Sequence, residues 1–341
     1  MVFNQFKLRL AEQGFIPDRI LRWGMQRLCQ QRLVQERLKS QSGIGRDESL
    51  EIAVETTAAN EQHYEVPAKF YEMVLGINRK YSCCWWDAHT ENLDDAEELA
   101  LARTVANAGI QDGMRILDLG CGWGSLTVWL AERFPDVEIT ALSNSNSQRE
   151  YIDHRLQEKR LGKRVNLITE DINAFEPEKQ FDRIISIEMM EHVRNHSRLF
   201  ANLSNWLASD GQVLTHVFAH HHLSYDFETK GTNDWMGRYF FTGGMMPNHS
   251  TLPNAATGFQ LQKQDRWSGT HYEKTSLAWL ENMDANKVSI LEVFQQCYQK
   301  DARLWWNRWR MFFLAVAELF GFAEGQEWGV IQQRFGKEVV R

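Results

Sequence analysis

Apolar residues recur with two different spacings along the chain, and the change of spacing divides it into regions. Residues 20–38 carry apolar side chains three and four positions apart, which predicts a helix, with arginines on its polar side. From about residue 101 to residue 219, short apolar runs alternate with helical patterns, and this alternation is typical of a parallel sheet with crossover helices. The predicted strands are 115–119, 137–142, 165–168, 182–187 and 212–218.

The regular alternation ends after residue 219. Residues 220–280 contain glycine, asparagine, proline, histidine and aromatic residues without a regular period, and a loop-rich insertion of this length is typically functional, often a lid. An aromatic-rich pattern predicts a long helix at about 288–320, and a final strand is predicted near Glu327–Phe335. Residues 41–49, with two glycines and mixed charge, are typical of a linker.

The segment Arg115–Ser125 is the most distinctive part of the chain. An apolar run ends in an acid and is followed by Gly120, Gly122 and Gly124, and residues 125–134 then predict a helix. The glycines therefore lie at a strand–loop–helix corner, where open α/β sheets bind nucleotides. Their spacing is not that of a dinucleotide or phosphate loop, and no basic residue in the loop can meet a phosphate. A ligand with an adenosine and no pyrophosphate fits, and S-adenosylmethionine is the obvious candidate.

Polar residues follow the next strands and extend this hypothesis. Asp118 ends the first predicted strand and can orient the loop or accept from a ligand amine, although a helix N-terminal carboxylate is an equal interpretation. Ser143 and Gln148 follow the second strand and can bind a ribose by hydrogen bonds, or form a turn and helix cap. After the third strand, Asp171 can accept an adenine amino hydrogen while Ile172 packs on the ring.

The fourth strand ends in two carboxylates and a histidine. On a turn that opens into a helix, Glu188, Glu191 and His192 can converge on one ligand. An acid-rich helix N-terminus with a satisfied histidine is the alternative interpretation of the same residues.

With these residues in place, the chain resembles the S-adenosylmethionine-dependent methyltransferases of the cyclopropane-fatty-acid-synthase type, and within them the amine-methylating branch typified by coclaurine N-methyltransferase. The resemblance implies an α/β fold, a Rossmann-like class I methyltransferase sheet with an N-terminal helical region and an inserted lid or cap. The expected regions are an N-terminal helical region at 1–100, an S-adenosylmethionine-binding core at 101–219, and the lid insertion, aromatic helix and closing strand at 220–341. The matching segments are Gln62–Pro67, Tyr81–Trp85, the glycine loop, Ser186–His192, His216–Phe218, Asp234–Met236, Tyr239–Gly244, His271–Tyr272, Phe313–Phe322 and Glu327–Trp328.

The resemblance also implies roles for individual residues. Glu191 and His192 match the family's catalytic pair at the substrate nitrogen, and Glu188 offers a second anionic contact. The cofactor-binding residues it implies are Tyr81, Ser82, Asp118, Gly120, Gly122, Ser143, Asn144, Gln148, Asp171 and Ile172. The substrate-binding residues it implies are Cys83, His216, Tyr239, Phe240, Tyr272, Phe320, Phe322 and Trp328.

The implied activity is methyl transfer to a hydrophobic or aromatic small-molecule amine, benzylisoquinoline-like or phenylethylamine-like, with deprotonation assisted by Glu191 and His192. The alternative is cyclopropane-type modification of unsaturated acyl chains, in which residues matching Cys83, Glu191, His216 and Tyr272 hold a bicarbonate base. Lipid-modifying members usually carry a small residue at the position of Glu188, which favours the amine. A cofactor-binding protein without catalysis is a further alternative, but none of the expected positions is broken.

The composition of the chain limits the kinds of ligand and partner that we expect. The net charge of −7 over 341 residues argues against nucleic acid. Five cysteines without paired spacing are typical of reduced thiols in a cytoplasmic protein. The longest apolar run, Met311–Phe322, is interrupted by Glu318 and is too short to span a bilayer. We expect no metal, because the consecutive histidines 220–222 cannot all face one ion. An aromatic-rich helical cap is compatible with a homodimer.

Overall fold

Nine strands and twelve α-helices are present in the computed structural model, which describes residues 5–41, 51–53, 66–231 and 234–338. Residues 42–49 of the predicted linker and residues 62–65 of the first family-matching segment lie outside the described residues. The strands are β1 (Arg115–Leu119), β2 (Glu138–Ser143), β3 (Val165–Thr169), β4 (Phe181–Ile187), β5 (Leu207–His220), β6 (Tyr225–Asp226), β7 (Met245–Met246), β8 (Phe259–Ser268) and β9 (Trp328–Lys337). The helices are α1 (Gln5–Glu12), α2 (Asp18–Gln41), α3 (Ala68–Val74), α4 (Leu93–Ala108), α5 (Ser125–Arg133), α6 (Asn146–Glu158), α7 (His196–Trp206), α8 (Trp235–Tyr239), α9 (Thr251–Ala255), α10 (Gly269–Ala285), α11 (Lys287–Tyr298) and α12 (Ala302–Gly321).

The central sheet has seven strands in the order β3-β2-β1-β4-β5-β9-β8. The first five are parallel, and β9 and β8 are added antiparallel. After β1 the chain moves to β2 and β3 on one side and then returns to β4 on the other. The carboxyl ends of β1 and β4 therefore border a topological switch point, where such sheets bind ligands. The predicted α/β class I methyltransferase fold is confirmed.

Two parts of the secondary structure differ from the sequence-based prediction. Residues 220–280 were expected to be loop-rich, but residues 259–268 form β8 and α10 begins at Gly269. Six of the ten side chains of β8 are exposed, because it is an edge strand, and its run of polar residues hides the strand pattern. The predicted long helix at 288–320 is two helices, α11 and α12, separated by the 3₁₀ turn Gln299–Asp301.

Arg22 and Arg37 of α2 bind acidic side chains elsewhere in this chain. Arg22 pairs with the buried carboxylate of Glu318 on α12, and Gln26 Nε2 donates to the same carboxylate at 2.7 Å. Arg37 Nη2 lies 3.3 Å from Glu327 Oε1. The helix is thereby fastened over the aromatic helix α12. Among the described helices, none combines the length and the apolar character that crossing a membrane requires.

Candidate active site

A pocket opens at the carboxyl ends of β1 and β4, with the glycine loop as its floor. Gly120 has φ 82°, and a Cβ there would lie 2.7 Å from Met189 Cγ, so a larger residue would displace the turn after β4. Gly122 has φ 54°, and no atom of the described residues lies within 4 Å of the place that a Cβ would occupy. The absence of a side chain at Gly122 therefore leaves this space open to a ligand. The backbone N–H groups of Gly120 and Cys121 donate to Leu142 O at 3.0 and 2.9 Å, which holds the loop beside β2.

Asp118 orients this loop. Its buried carboxylate accepts a hydrogen bond from Thr127 Oγ1 at 2.6 Å, which ties the end of β1 to α5. Burial raises the pKa of Asp118 to about 6. This contact agrees with the interpretation that Asp118 orients the loop, and its contact with the ligand stays a prediction.

Three buried donors in the pocket have no protein partner among the described residues: Trp123 Nε1, Ser125 Oγ and Gln148 Nε2. The Gln148 carbonyl oxygen is already used, because Ser143 Oγ donates to it at 2.6 Å. The amide nitrogen of Gln148 is thereby left to donate toward the pocket. Unpaired buried donors are costly, so these atoms fit a ligand rich in acceptors such as the hydroxyls and ring nitrogens of an adenosine.

Nine of the ten residues predicted to bind the cofactor line this pocket, and Asp171 does not. Asp171 Oδ1 accepts from the backbone N–H and the side-chain amide of Asn173, both at 2.8 Å, and Glu170 lines the wall instead. The nine that line it are Tyr81, Ser82, Asp118, Gly120, Gly122, Ser143, Asn144, Gln148 and Ile172.

Glu188 is the most strongly held group at the other end of the pocket. Its Oε1 accepts the Cys83 N–H at 2.9 Å and its Oε2 accepts the Tyr272 hydroxyl at 2.6 Å. His216 Nε2 lies 3.4 Å from Oε1. The backbone of Glu188 has φ 49°, a left-handed conformation that costs on the order of 1 kcal/mol in a non-glycine residue and is concentrated at functional sites.

These neighbours keep Glu188 ionised although its side chain is only 8% exposed. Burial alone would raise its pKa, but His216, the buried Lys80 and the Tyr272 hydroxyl together bring the pKa below its ordinary value. Lys80 is held in place because its Nζ donates to Ser82 Oγ and to Cys83 O, both at 2.6 Å.

The pKa of Glu191 is shifted in the opposite direction to that of Glu188. Glu191 is fully buried, its Oε1 accepts the backbone N–H of Phe218 at 2.8 Å, and it does not line the pocket. Burial and the charge of Glu188 raise the pKa of Glu191 well above its ordinary value. The sequence-based assignment has Glu191 bind and deprotonate the amine; its carboxyl group does not line the pocket, and that role stays a prediction. Of the two carboxyl groups, Glu188 is the one whose surroundings favour the ionised form.

His192 faces the pocket and its ring stacks on Phe241, with the ring centroids 5.0 Å apart. Burial lowers the pKa of His192 to about 4, so the imidazole is neutral at pH 7 and can accept a hydrogen.

Aromatic rings connect His192 to Glu188. Phe241 packs edge-on against Phe218 at 5.4 Å, Phe218 packs edge-on against Phe320 at 6.1 Å, and Phe320 stacks on Tyr272 at 4.4 Å. We call these four residues the aromatic arc. It was only half predicted, because Phe218 and Phe241 were not among the predicted substrate-binding residues.

Two predicted substrate-binding residues belong to the aromatic core instead. Phe240 is fully buried and stacks on Phe312 at 4.3 Å, and Tyr239 lies under the guanidinium of Arg308 at 3.9 Å. The turn after α8 directs the following residue, Phe241, toward His192. Which ring of the Tyr–Phe–Phe run faces the site depends on that turn.

The remaining predicted substrate-binding residues have mixed surroundings. Cys83 contributes its backbone N–H, and burial raises the pKa of its thiol, which stays protonated. Trp328 is fully buried, its Nε1 donates to Tyr225 OH at 3.0 Å, and Phe322 packs edge-on against it at 5.7 Å.

Comparison with known proteins agrees with this architecture. The sequence model for "Mycolic acid cyclopropane synthetase" matches residues 53–323, most of the chain. The chain belongs to this family of S-adenosylmethionine-dependent methyltransferases. As a member of the mycolic acid cyclopropane synthetase family, it is an enzyme whose cofactor is S-adenosylmethionine.

Two curated relatives represent the two branches of the family. The chain is 32% identical to (S)-coclaurine N-methyltransferase of Thalictrum flavum subsp. glaucum, over 97% of this chain and 95% of the relative. It is 25% identical to cyclopropane-fatty-acyl-phospholipid synthase of Escherichia coli K12, over 80% of this chain and 67% of the relative. The chain is thus a family member related to benzylisoquinoline N-methyltransferases.

A solved structure gives the same result. The crystal structure of coclaurine N-methyltransferase bound to N-methylheliamine and SAH has a TM-score of 0.89 with this chain at 30% identity, and the match covers 97% of this chain and 98% of that one. The mycolic acid cyclopropane synthase CmaA1 complexed with SAH and CTAB has a TM-score of 0.72 at 21% identity, covering 84% of this chain and 99% of that one, and supports the fold alone.

Proposed function

We propose that the protein transfers the methyl group of S-adenosylmethionine to the nitrogen of a hydrophobic or aromatic small-molecule amine, benzylisoquinoline-like or phenylethylamine-like. One observation carries the proposal: an ionised carboxylate, Glu188, and a neutral imidazole, His192, lie at the two ends of an aromatic arc beside the cofactor pocket.

Glu188 and the aromatic arc suit a cation. An amine that arrives as an ammonium finds the fixed negative charge of Glu188, and the arc contributes cation–π contacts of roughly 0.5–2 kcal/mol each. Because the Cys83 N–H and the Tyr272 hydroxyl fix the position of Glu188, they also fix the position of the nitrogen that binds to it. Positioning of the nucleophile is a large part of catalysis in a methyl transfer that needs in-line attack.

His192 provides the acceptor for a proton. An amine attacks only with its lone pair free, so an ammonium must lose a proton first. His192 is neutral at pH 7 and faces the pocket, and it accepts that proton at a ring nitrogen and passes it to solvent, because a group with a pKa of about 4 does not hold a proton at pH 7. S-adenosylmethionine supplies the methyl carbon, which its positively charged sulfur activates for transfer. Gly120, Gly122, Ser143 and Gln148 would hold it.

The same geometry counts against the cyclopropane-type alternative. Of the four residues that would hold a bicarbonate, Cys83, His216 and Tyr272 already lie against Glu188, and Glu191 accepts the backbone N–H of Phe218. The Glu188 carboxylate occupies the position that a bound anion would take among these residues. A second anion would be repelled by the first.

The curated relatives support the same acceptor class. Pavine N-methyltransferase of Thalictrum flavum subsp. glaucum is 30% identical over 93% of this chain and 89% of the relative. Its name and that of (S)-coclaurine N-methyltransferase both refer to transfer to nitrogen.

A labelled-methyl turnover screen tests the proposal. The purified protein is incubated with methyl-labelled S-adenosylmethionine and, separately, with a panel of benzylisoquinolines and phenylethylamines and with vesicles of unsaturated phospholipid. We expect label on amine nitrogen and none on lipid, and loss of that label in Glu188→Gln. Label on lipid alone, or cofactor binding without transfer to any acceptor, contradicts the proposal.

A further inference from the structure

Three polar residues lie side by side across the antiparallel edge of the sheet. The register pairs Asp265 of β8 with Gln332 of β9, and Gln332 with His216 of β5. Gln332 and His216 are almost completely buried, with exposures of 1% and 0%. The row therefore leads from the outer edge of the sheet to the neighbour of Glu188.

The hydrogen-bond directions are fixed at the outer end of this row by Asn107 of α4. Asn107 Oδ1 accepts from Lys263 Nζ at 2.6 Å, and Asn107 Nδ2 donates to Asp265 Oδ2 at 3.0 Å. An ammonium can only donate and an ionised carboxylate can only accept, so the two ends of the Asn107 amide cannot be exchanged.

Gln332 takes its orientation from two independent partners. Asn107 Nδ2 lies 2.6 Å from Gln332 Oε1, so the oxygen of the Gln332 amide faces Asn107. Thr104 Oγ1 donates its hydrogen to Ala100 O at 2.8 Å and is an acceptor for Gln332 Nε2 at 2.9 Å. Both partners place the amide nitrogen of Gln332 toward the interior.

The same nitrogen lies 3.0 Å from His216 Nδ1. We infer that Gln332 is a positioning residue: by donating to His216 Nδ1 it fixes the Nε2–H tautomer, which places the imidazole hydrogen on the nitrogen that lies 3.4 Å from Glu188 Oε1. The inference deepens the proposed function, since it concerns the group that would bind the amine. Burial lowers the pKa of His216, in keeping with a neutral ring whose tautomer matters.

The opposite tautomer would reverse this contact. With hydrogen on Nδ1, the Nε2 lone pair would face Glu188 Oε1 across 3.4 Å, and both atoms would be acceptors. Glu188 would keep two donors, Cys83 N–H and Tyr272 O–H, and would have more freedom in its pocket.

The neighbouring residue Gln333 is a matched control. It lies on the same strand, is also 1% exposed, and directs its amide to the other face of the sheet. There its Nε2 donates to His249 O at 2.8 Å and to Gln264 Oε1 at 3.0 Å, away from His216. Substitution by methionine removes a buried amide of the same size at either position.

The experiment is nitrogen NMR of the full chain labelled at its 11 histidines, with the His216 signals assigned by their loss in His216→Gln. We expect wild type and Gln333→Met to show His216 protonated only on Nε2. In Gln332→Met we expect a mixture in which part of the His216 population is protonated on Nδ1. Turnover of the amine should fall about tenfold in Gln332→Met only, as for loss of one buried hydrogen bond at the site.

A second variant, Gln332→Glu, keeps the side-chain shape and replaces the donor by an acceptor, so it should put a hydrogen on Nδ1. A wild-type His216 protonated on Nδ1, or an unchanged Nε2–H pattern in both Gln332 variants, overturns the inference. These spectra need no acceptor substrate. A chain that methylates lipid would therefore contradict the proposed function while leaving the tautomer assignment standing.

Discussion

Glu188 and Glu191 lie three residues apart just after β4, and their pKa values are shifted in opposite directions. Glu188 accepts hydrogen bonds from Cys83 N–H and Tyr272 O–H and has a pKa below its ordinary value. Glu191 is buried against the backbone of Phe218, and burial together with the charge of Glu188 holds its pKa well above the ordinary value. One carboxylate is therefore free to bind a cation while the other stabilises the end of β5.

Isosteric amides distinguish the two roles. Glu188→Gln removes the negative charge, and we expect kcat/KM for the amine to fall about 100-fold, as for loss of a hydrogen bond to a charged group. Glu191→Gln keeps an acceptor for Phe218 N–H and replaces a carboxyl group whose pKa is raised and which does not line the pocket, so kcat/KM should stay within about threefold of wild type. Steady-state kinetics of both variants measure this, and a larger loss in Glu191→Gln than in Glu188→Gln would reverse the assignment.

Gly122→Ala should weaken cofactor binding without a large loss of fold. Both Gly122 and Gly113 have positive φ and no described atom within 4 Å of an added Cβ, but only Gly122 lines the pocket. Alanine at either position should cost about 1 kcal/mol of unfolding free energy because of the left-handed backbone. Calorimetry should show at least about tenfold weaker binding of S-adenosylmethionine in Gly122→Ala alone, because its methyl group occupies ligand space. Equal affinities in the two variants would show that the floor of the pocket is elsewhere.

His192 should make the protein less stable in acid. Burial lowers the pKa of His192 to about 4, below its value in the unfolded chain, so the unfolded state binds more protons between these two values. The stability that the neutral His192 contributes is present above about pH 6.5 and is lost as the pH falls toward 4, by up to about 3 kcal/mol.

Denaturant unfolding of wild type and His192→Gln at pH 7 and pH 4 measures this contribution. The loss on acidification should be smaller in the variant. Glu97 and Asp118 have raised pKa values and act in the opposite direction, but both are present in the two proteins and cancel in the comparison. Identical losses would mean that His192 is not buried in its neutral form.

Lys80→Met should move the acid limb of the kcat/KM profile to higher pH. Lys80 is 2% exposed and favours the ionised form of Glu188, so its removal raises the pKa of that carboxylate. The titratable groups that also face Glu188 are His216, Tyr272, Cys83 and Glu191. All of them remain in the variant.

Lys69→Met is the control for the loss of a lysine, because Lys69 forms an exposed pair with Glu72 on α3. Its pH profile should match that of wild type. An acid limb that stays in place in Lys80→Met would show that Lys80 only supports the segment through Ser82 and Cys83.

Local sequence determined the cofactor half of the site. The strand at 115–119, the glycines of the loop and the polar residues after β2 were all predicted, and the structure places them around one pocket. These features follow from backbone geometry and strand periodicity, and both can be recognised from short segments of the sequence. Asp171 was the exception, because the Asx turn with Asn173 depends on side-chain direction within a loop.

Tertiary structure alone decided the acceptor half. The lowered pKa of Glu188 depends on Lys80, Tyr272 and His216, which are distant in sequence and meet only when the sheet and its cap assemble, and the raised pKa of Glu191 depends on its burial and on Glu188. The same is true of the aromatic rings, because Phe241 stacks on His192 and packs edge-on against Phe218, whereas Phe240 stacks on Phe312. Charge state and ring orientation are set by burial and long-range contacts, and a sequence pattern carries neither.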